Sequence, residues 1–172
     1  TPSSVTFYGD LSVTGVAATS SNAGDESVVV SGDTVTVTFQ TQHKAEVSSL
    51  YVAGESVSFT ASSADNAGLD WTVTYAVTTD MYEDNREVSF TIQVRDVAYN
   101  SFRITQAQLT NPFVPIHYYA PLTQAGVIYD ISFVTSNATQ GVGDVYTRDG
   151  DTLTVRFHTT HPILTPTGNM AG

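Results

Sequence analysis

His158 and His161 form an H-x-x-H pair, the spacing that a helix would use to aim two imidazoles at one metal ion. The residues before them, Val155-Arg156-Phe157, alternate as a strand does, and a strand sends such a pair to opposite faces. Surface histidines are expected there, not zinc ligands. His43 follows a similar strand earlier in the chain, so His43 and His161 are expected to share a turn role. Asp80, Glu83, Asp84 and Glu87 could offer oxygens to calcium, but they lack the D-x-D-x-D-G order of a dedicated loop. They read as a solvated turn between two strands. Asp96, Asn100 and Asp130 are weaker calcium candidates, with Asx turns as the alternative role for Asp96 and Asn100.

Covalent and phosphate chemistry lack their usual anchors. No serine sits in a G-x-S-x-G elbow, and no G-x-G-x-x-G loop opens a helix. Two glycosidase carboxylates about 5 Å apart would need a cleft, whereas the acids here fall mostly in turns. No catalytic residue, no cofactor and no enzymatic activity are expected. One N-x-[ST] sequon, Asn137-Ala138-Thr139, is a glycosylation candidate if the source has a secretory pathway.

The composition narrows the partners. Charged residues make up only 13% of 172, against about 25% in ordinary domains, so Ser, Thr, Asn and Gln must cover the surface. Such a surface suits exposed strands and attached glycans. A net charge of −11 with six Lys and Arg argues against nucleic acid and anionic lipid. Cysteine is absent, so neither disulfides nor thiolate metal sites hold the fold. No run of about 18 apolar residues exists, and membrane insertion is not expected. The chain opens at Thr1 without Met or a signal peptide and reads as a processed product or an excised window.

Period-two alternation runs through most of the sequence. Residues 33–41 place Val35, Val37 and Phe39 on one face and threonines on the other. Residues 70–78 do the same with Trp71, Val73, Tyr75 and Val77, and residues 87–96 with Val88, Phe90, Ile92 and Val94. Further strands are expected at 11–18, 47–52, 55–60 and 102–109, with turns at 31–33, 64–68 and 83–85. Strands with one dry and one wet face belong to antiparallel sheets packed as a sandwich. No helix is expected, and the fold class is all-β.

An internal repeat sets the organisation. Residues 32–43 read GDTVTVTFQTQH and residues 150–161 read GDTLTVRFHTTH. The similarity continues without a gap to Val-Ala-Gly at 52–54 and Met-Ala-Gly at 170–172. Upstream, residues 19–23 are echoed by 135–138. The expected division is an amino-terminal strand over 1–10, a complete module over 11–130 and a partial second copy over 131–172.

The run from Ser-Asn-Ala-Gly at 21–24 through GDTVTVTF to Val-Ala-Gly resembles the bacterial-type immunoglobulin-like repeats of large surface proteins. The aromatic strand WTVTY at 71–75 and Asp96-Val97-Ala98-Tyr99-Asn100 match that family's order, with Tyr99 where the family has Gly. Val127-Ile128-Tyr129-Asp130 resembles its closing strand, and so does Val5-Thr6-Phe7. The resemblance implies an immunoglobulin-like antiparallel sandwich, an extracellular or cell-surface location and a structural or adhesive role.

Where such repeats have a short link, this chain carries NPFVPIHYYAPLTQAG. Pro112, Pro115 and Pro121 are expected to forbid a central strand there. Phe113, Ile116, Tyr118 and Tyr119 would be costly to expose, and with Val5 and Phe7 they are the candidates for packing on a neighbouring module or chain, with a loop folded over its own sandwich as the alternative for the long segment. The expected function is a building block of an extracellular filament or stalk, self-associating head to tail through β-strands. A loop-bearing adhesin module is the alternative.

Overall fold

A computed structural model of the chain describes residues 7–65, 67–78, 84–110, 115–123, 125–136 and 150–168. The protein is all-β, as its alternation requires, and among the described residues its only helical element is a single 3-10 turn at Gln106–Gln108. It divides into two compact units, Thr1–Tyr119 and Ala120–Gly172.

The strands of the first unit, in chain order, are β1 Val13–Ser20, β2 Val28–Val29, β3 Thr34–Thr41, β4 Ala45–Val52, β5 Glu55–Ser56 and β6 Thr60–Ser63. They continue with β7 Asp70–Ala76, β8 Arg86–Glu87, β9 Phe90–Asp96, β10 Ser101–Thr105 and β11 His117–Tyr118. Two four-stranded sheets, in the orders β1-β3-β7-β6 and β10-β9-β4-β5, form a sandwich. All their pairings are antiparallel.

Alternation explains the core. Val35, Val37 and Phe39 of β3 stand opposite Tyr75, Val73 and Trp71 of β7. In the second sheet, Leu50 and Val52 of β4 face Ile92 and Phe90 of β9 across the ladder. All of these are buried except Trp71. Each inward β-branched or aromatic side chain lies beside another across the strands, the pairing that stabilises sheets.

Three expectations are corrected here. Trp71 is half-buried, because its indole N–H turns to the carbonyl of Gly68, 3.2 Å away, at the end of the strand. The expected strand over 87–96 is broken at Val88 and Ser89, where Val88 donates its N–H to Ile116 and the chain passes from one sheet to another. The proline-rich segment does hold a central strand: β11 lies between β2, parallel, and β8, antiparallel. Pro115 and Pro121 flank β11 without entering it, so no ladder donor is lost.

The second unit contains β12 Ile128–Thr135 and β13 Leu153–Thr159, paired as an antiparallel hairpin. The expected boundary between residues 130 and 131 would cut β12, which is one continuous strand, and the division falls instead after Tyr119.

Candidate assembly site

The site begins with a duplicated hairpin. In β1–β3, Thr14 pairs with Gln40 and Ala17 with Thr38, so Gly15 and Val16 together oppose Phe39 in a β-bulge. In β12–β13, Tyr129 pairs with His158 and Ser132 with Arg156, so Asp130 and Ile131 oppose Phe157 in the same way. The first bulge residue has positive φ in both copies, 62° at Gly15 and 53° at Asp130. The far ends match as well. Ser21 donates its N–H to Thr34 at 2.9 Å and accepts the Thr34 N–H on its hydroxyl at 2.9 Å. Ser136 and Thr152 repeat both bonds at 2.9 and 2.8 Å. Gly32 and Gly150, at φ 96° and 89°, lead into the second strand of each copy.

This register overturns one reading of the sequence. Residues 127–130 do not close the first module; they run into β12, the counterpart of β1, where Ile128 and Tyr129 pair with β13. Four residues of similarity cannot fix a strand's partner, whereas the hairpin register does.

What differs between the copies is cover. Val16 of β1 is 1% exposed and its counterpart Ile131 is 58% exposed. Val37 is fully buried under the second sheet, and its counterpart Val155 is 44% exposed. Phe133 on the same face is 54% exposed, with Leu153 and Phe157 half-buried beside it. Among the described residues, the second unit has no counterpart of β4, β7, β9 or β10. An apolar face that the first copy hides therefore stands open in the second.

The other candidate residues scatter. Val5, Phe113 and Asn137 lie outside the described residues. Phe7 is 92% exposed. Ile116 and Tyr118, expected to meet a neighbour, are instead buried, with Tyr118 in β11 between two strands of its own unit. Tyr119 is half-buried and donates its N–H to Val29 at 2.8 Å. Residues 115–119 of the long segment thus pack on their own unit, because burying those rings locally removes the same apolar surface from water.

The calcium candidates do not converge on an open site. The Asp96 carboxylate accepts the N–H groups of Ala98 and Asn100 and the side-chain amide of Asn100 at 2.8–2.9 Å. Asn100 also reaches the carbonyl of Gly9 at 3.1 Å. Burial works to raise the Asp96 carboxyl, but the bonds from Asn100 and Ala98, with His43 nearby, outweigh it and hold the group below its ordinary value. Asp96 and Asn100 are turn staples, the alternative role the sequence allowed. Asp130 belongs to the bulge, with its carboxylate 3.4 Å from His158. Asp84 precedes β8 and Glu87 ends it, and Asp80 and Glu83 lie outside the described residues. Among the described residues, no group of three or more His, Asp or Glu could hold a metal. The two histidines of H-x-x-H part, with His158 exposed and His161 buried, so His161 is not the surface residue its spacing suggested.

Two features escaped the sequence reading. An open cleft of about 410 Å³ lies at one loop end, lined by Lys44, Glu46, Arg95, Asp96, Val97 and Tyr99. Tyr99 stands there at φ 66°, where the resembled repeats carry Gly, and the Arg95 guanidinium lies 4.9 Å from its ring centre. That stacking helps hold a conformation few tyrosines adopt. The departure from Gly at position 99 was the available signal. The chain matches no family model, no curated protein and no solved structure.

Proposed function

We propose that the chain is a structural building block of an extracellular filament or surface stalk, in which immunoglobulin-like modules join head to tail through β-strand contacts. The observation that carries this reading is the open inner face of the second hairpin, where Ile131 and Phe133 are more than half exposed while the equivalent face of β1–β3 is covered. A hairpin with an uncovered apolar face is marginal alone and gains stability from added strands. The sheet orders β1-β3-β7-β6 and β10-β9-β4 support the immunoglobulin-like part, since seven-stranded domains of that class have A-B-E-D and G-F-C sheets. A heterologous contact of this kind propagates unless its rotation closes a ring. The Ser- and Thr-rich composition with few charged residues fits an extracellular chain that carries glycans, and no enzymatic activity is part of this role. Electron microscopy and sedimentation of the purified full chain test it: filaments support the reading, and a stable monomer at high concentration ends it.

One observation favours a second reading, an adhesin-type module that binds carbohydrate or protein. The loop-end cleft presents Tyr99, 76% exposed, beside the Arg95–Glu46 ion pair at 2.6 Å. An aromatic face next to fixed polar groups is the chemistry that stacks on a sugar ring. Titration of the chain with a panel of neutral oligosaccharides separates the two: saturable binding lost on Tyr99→Gly would favour the adhesin.

A further inference from the structure

The duplicated hairpin identifies what the open one lacks. In the first unit β3 is a central strand, bonded to β1 on one side and β7 on the other. In the second unit β13 is bonded to β12, and its other edge pairs with no strand among the described residues. The register of β3 with β7 gives the missing neighbour's chemistry residue by residue. Tyr75 lies opposite Val35, Val73 opposite Val37 and Trp71 opposite Phe39. The counterparts on β13 are Leu153, Val155 and Phe157, so the same backbone groups and the same kind of apolar ridge face outward there.

We propose that the outer edge of β13 is an acceptor for an antiparallel strand of the β7 type, carrying aromatic, valine and aromatic side chains at alternate positions. This deepens the filament reading and rests on its premise that modules join through strands. Main-chain bonds along the edge supply affinity, and the alternate side chains supply register. A slip of one residue would turn the aromatic residues to the wet face and the threonines to the dry one. β13 contains no proline, the residue that blocks an edge most effectively, and its single charge is Arg156. A third strand would extend the face of Ile131, Phe133 and Val155 as β7 extends that of β1 and β3.

The probe is a labelled peptide of residues 70–77, Asp-Trp-Thr-Val-Thr-Tyr-Ala-Val, added to the full chain at a dilution where it sediments as a monomer. Fluorescence anisotropy should show saturable binding, and amide shifts should concentrate at residues 153–159. The same peptide with Val73→Pro should bind at least about tenfold more weakly, because proline removes a ladder donor. No binding, equal binding of the proline peptide, or shifts confined to residues 34–41 would overturn the acceptor. Electron microscopy of the concentrated chain separates this from the broader reading. Filaments without peptide binding leave the filament standing and remove this edge, and peptide binding by a chain that never polymerises does the reverse.

Discussion

Gly15, at φ 62°, and Asp130, at φ 53°, occupy the same bulge position in two copies of one hairpin. Gly15 adopts that conformation at little steric cost, whereas an L side chain pays for it, Asp less than most. Asp130→Gly should therefore leave β12–β13 intact and stabilise it by up to about 1 kcal/mol. Gly15→Val should destabilise the first unit by roughly 1–2 kcal/mol or more, since a β-branched residue is a true outlier there. Amide exchange in β12 reports the first change, and urea unfolding followed by Trp71 fluorescence the second.

The core of the sandwich should rank its aromatic residues by burial. Phe39→Ala should cost about 3–5 kcal/mol, the range for a large core side chain. Trp71→Ala should cost clearly less, because Trp71 is only half-buried. Trp71→Phe should lose about 0.5–1.5 kcal/mol with its bond to Gly68. Equal losses for Phe39→Ala and Trp71→Ala in denaturant titrations would contradict this packing.

Tyr118 separates folding from association. It is fully buried in β11, so Tyr118→Ala should destabilise the first unit by roughly 3–5 kcal/mol. Under conditions where that variant still folds, its filament formation should match the parent chain's. A folded Tyr118→Ala variant that no longer assembles would return the residue to an interface.

Asp96 gives a pH signature. Its carboxyl sits below the ordinary value when folded, so the unfolded chain binds the proton more readily as acid is added. Its contribution is complete above the unfolded value near 4 and is lost as pH falls through the lower folded value. Asp96→Asn should lower the melting temperature at pH 7 and flatten the acid side of the stability curve. Parallel melts of parent and variant from pH 2 to 7 measure both effects.

Calcium should change nothing in the fold, because the Asp96 oxygens already accept protein N–H groups. Melting temperatures with calcium and with chelator should agree within about two degrees, and a larger gap would expose a site that ligand linkage would reveal.

The sequence alone determined the strands whose alternation is long and clean. β3, β7 and β9 follow from Val35-Val37-Phe39, Val73-Tyr75 and Phe90-Ile92-Val94, because period two is a local property that a strand's pleat reads directly. The repeat of residues 32–43 at 150–161 was also legible, and with it the existence of a second copy. Tertiary structure decided the partners. Residues 127–130 resemble a closing strand, yet they run into β12, which opens the second copy, since pairing joins residues far apart and no local pattern specifies it. Pro115 and Pro121 looked like a barrier, yet His117 and Tyr118 fit between them as a central strand, because only the ladder positions themselves must donate. The open face of Ile131, Phe133 and Val155 was invisible for the same reason. Their types match the buried residues of the first copy, and among the described residues only the sheet that covers the first copy separates core from surface.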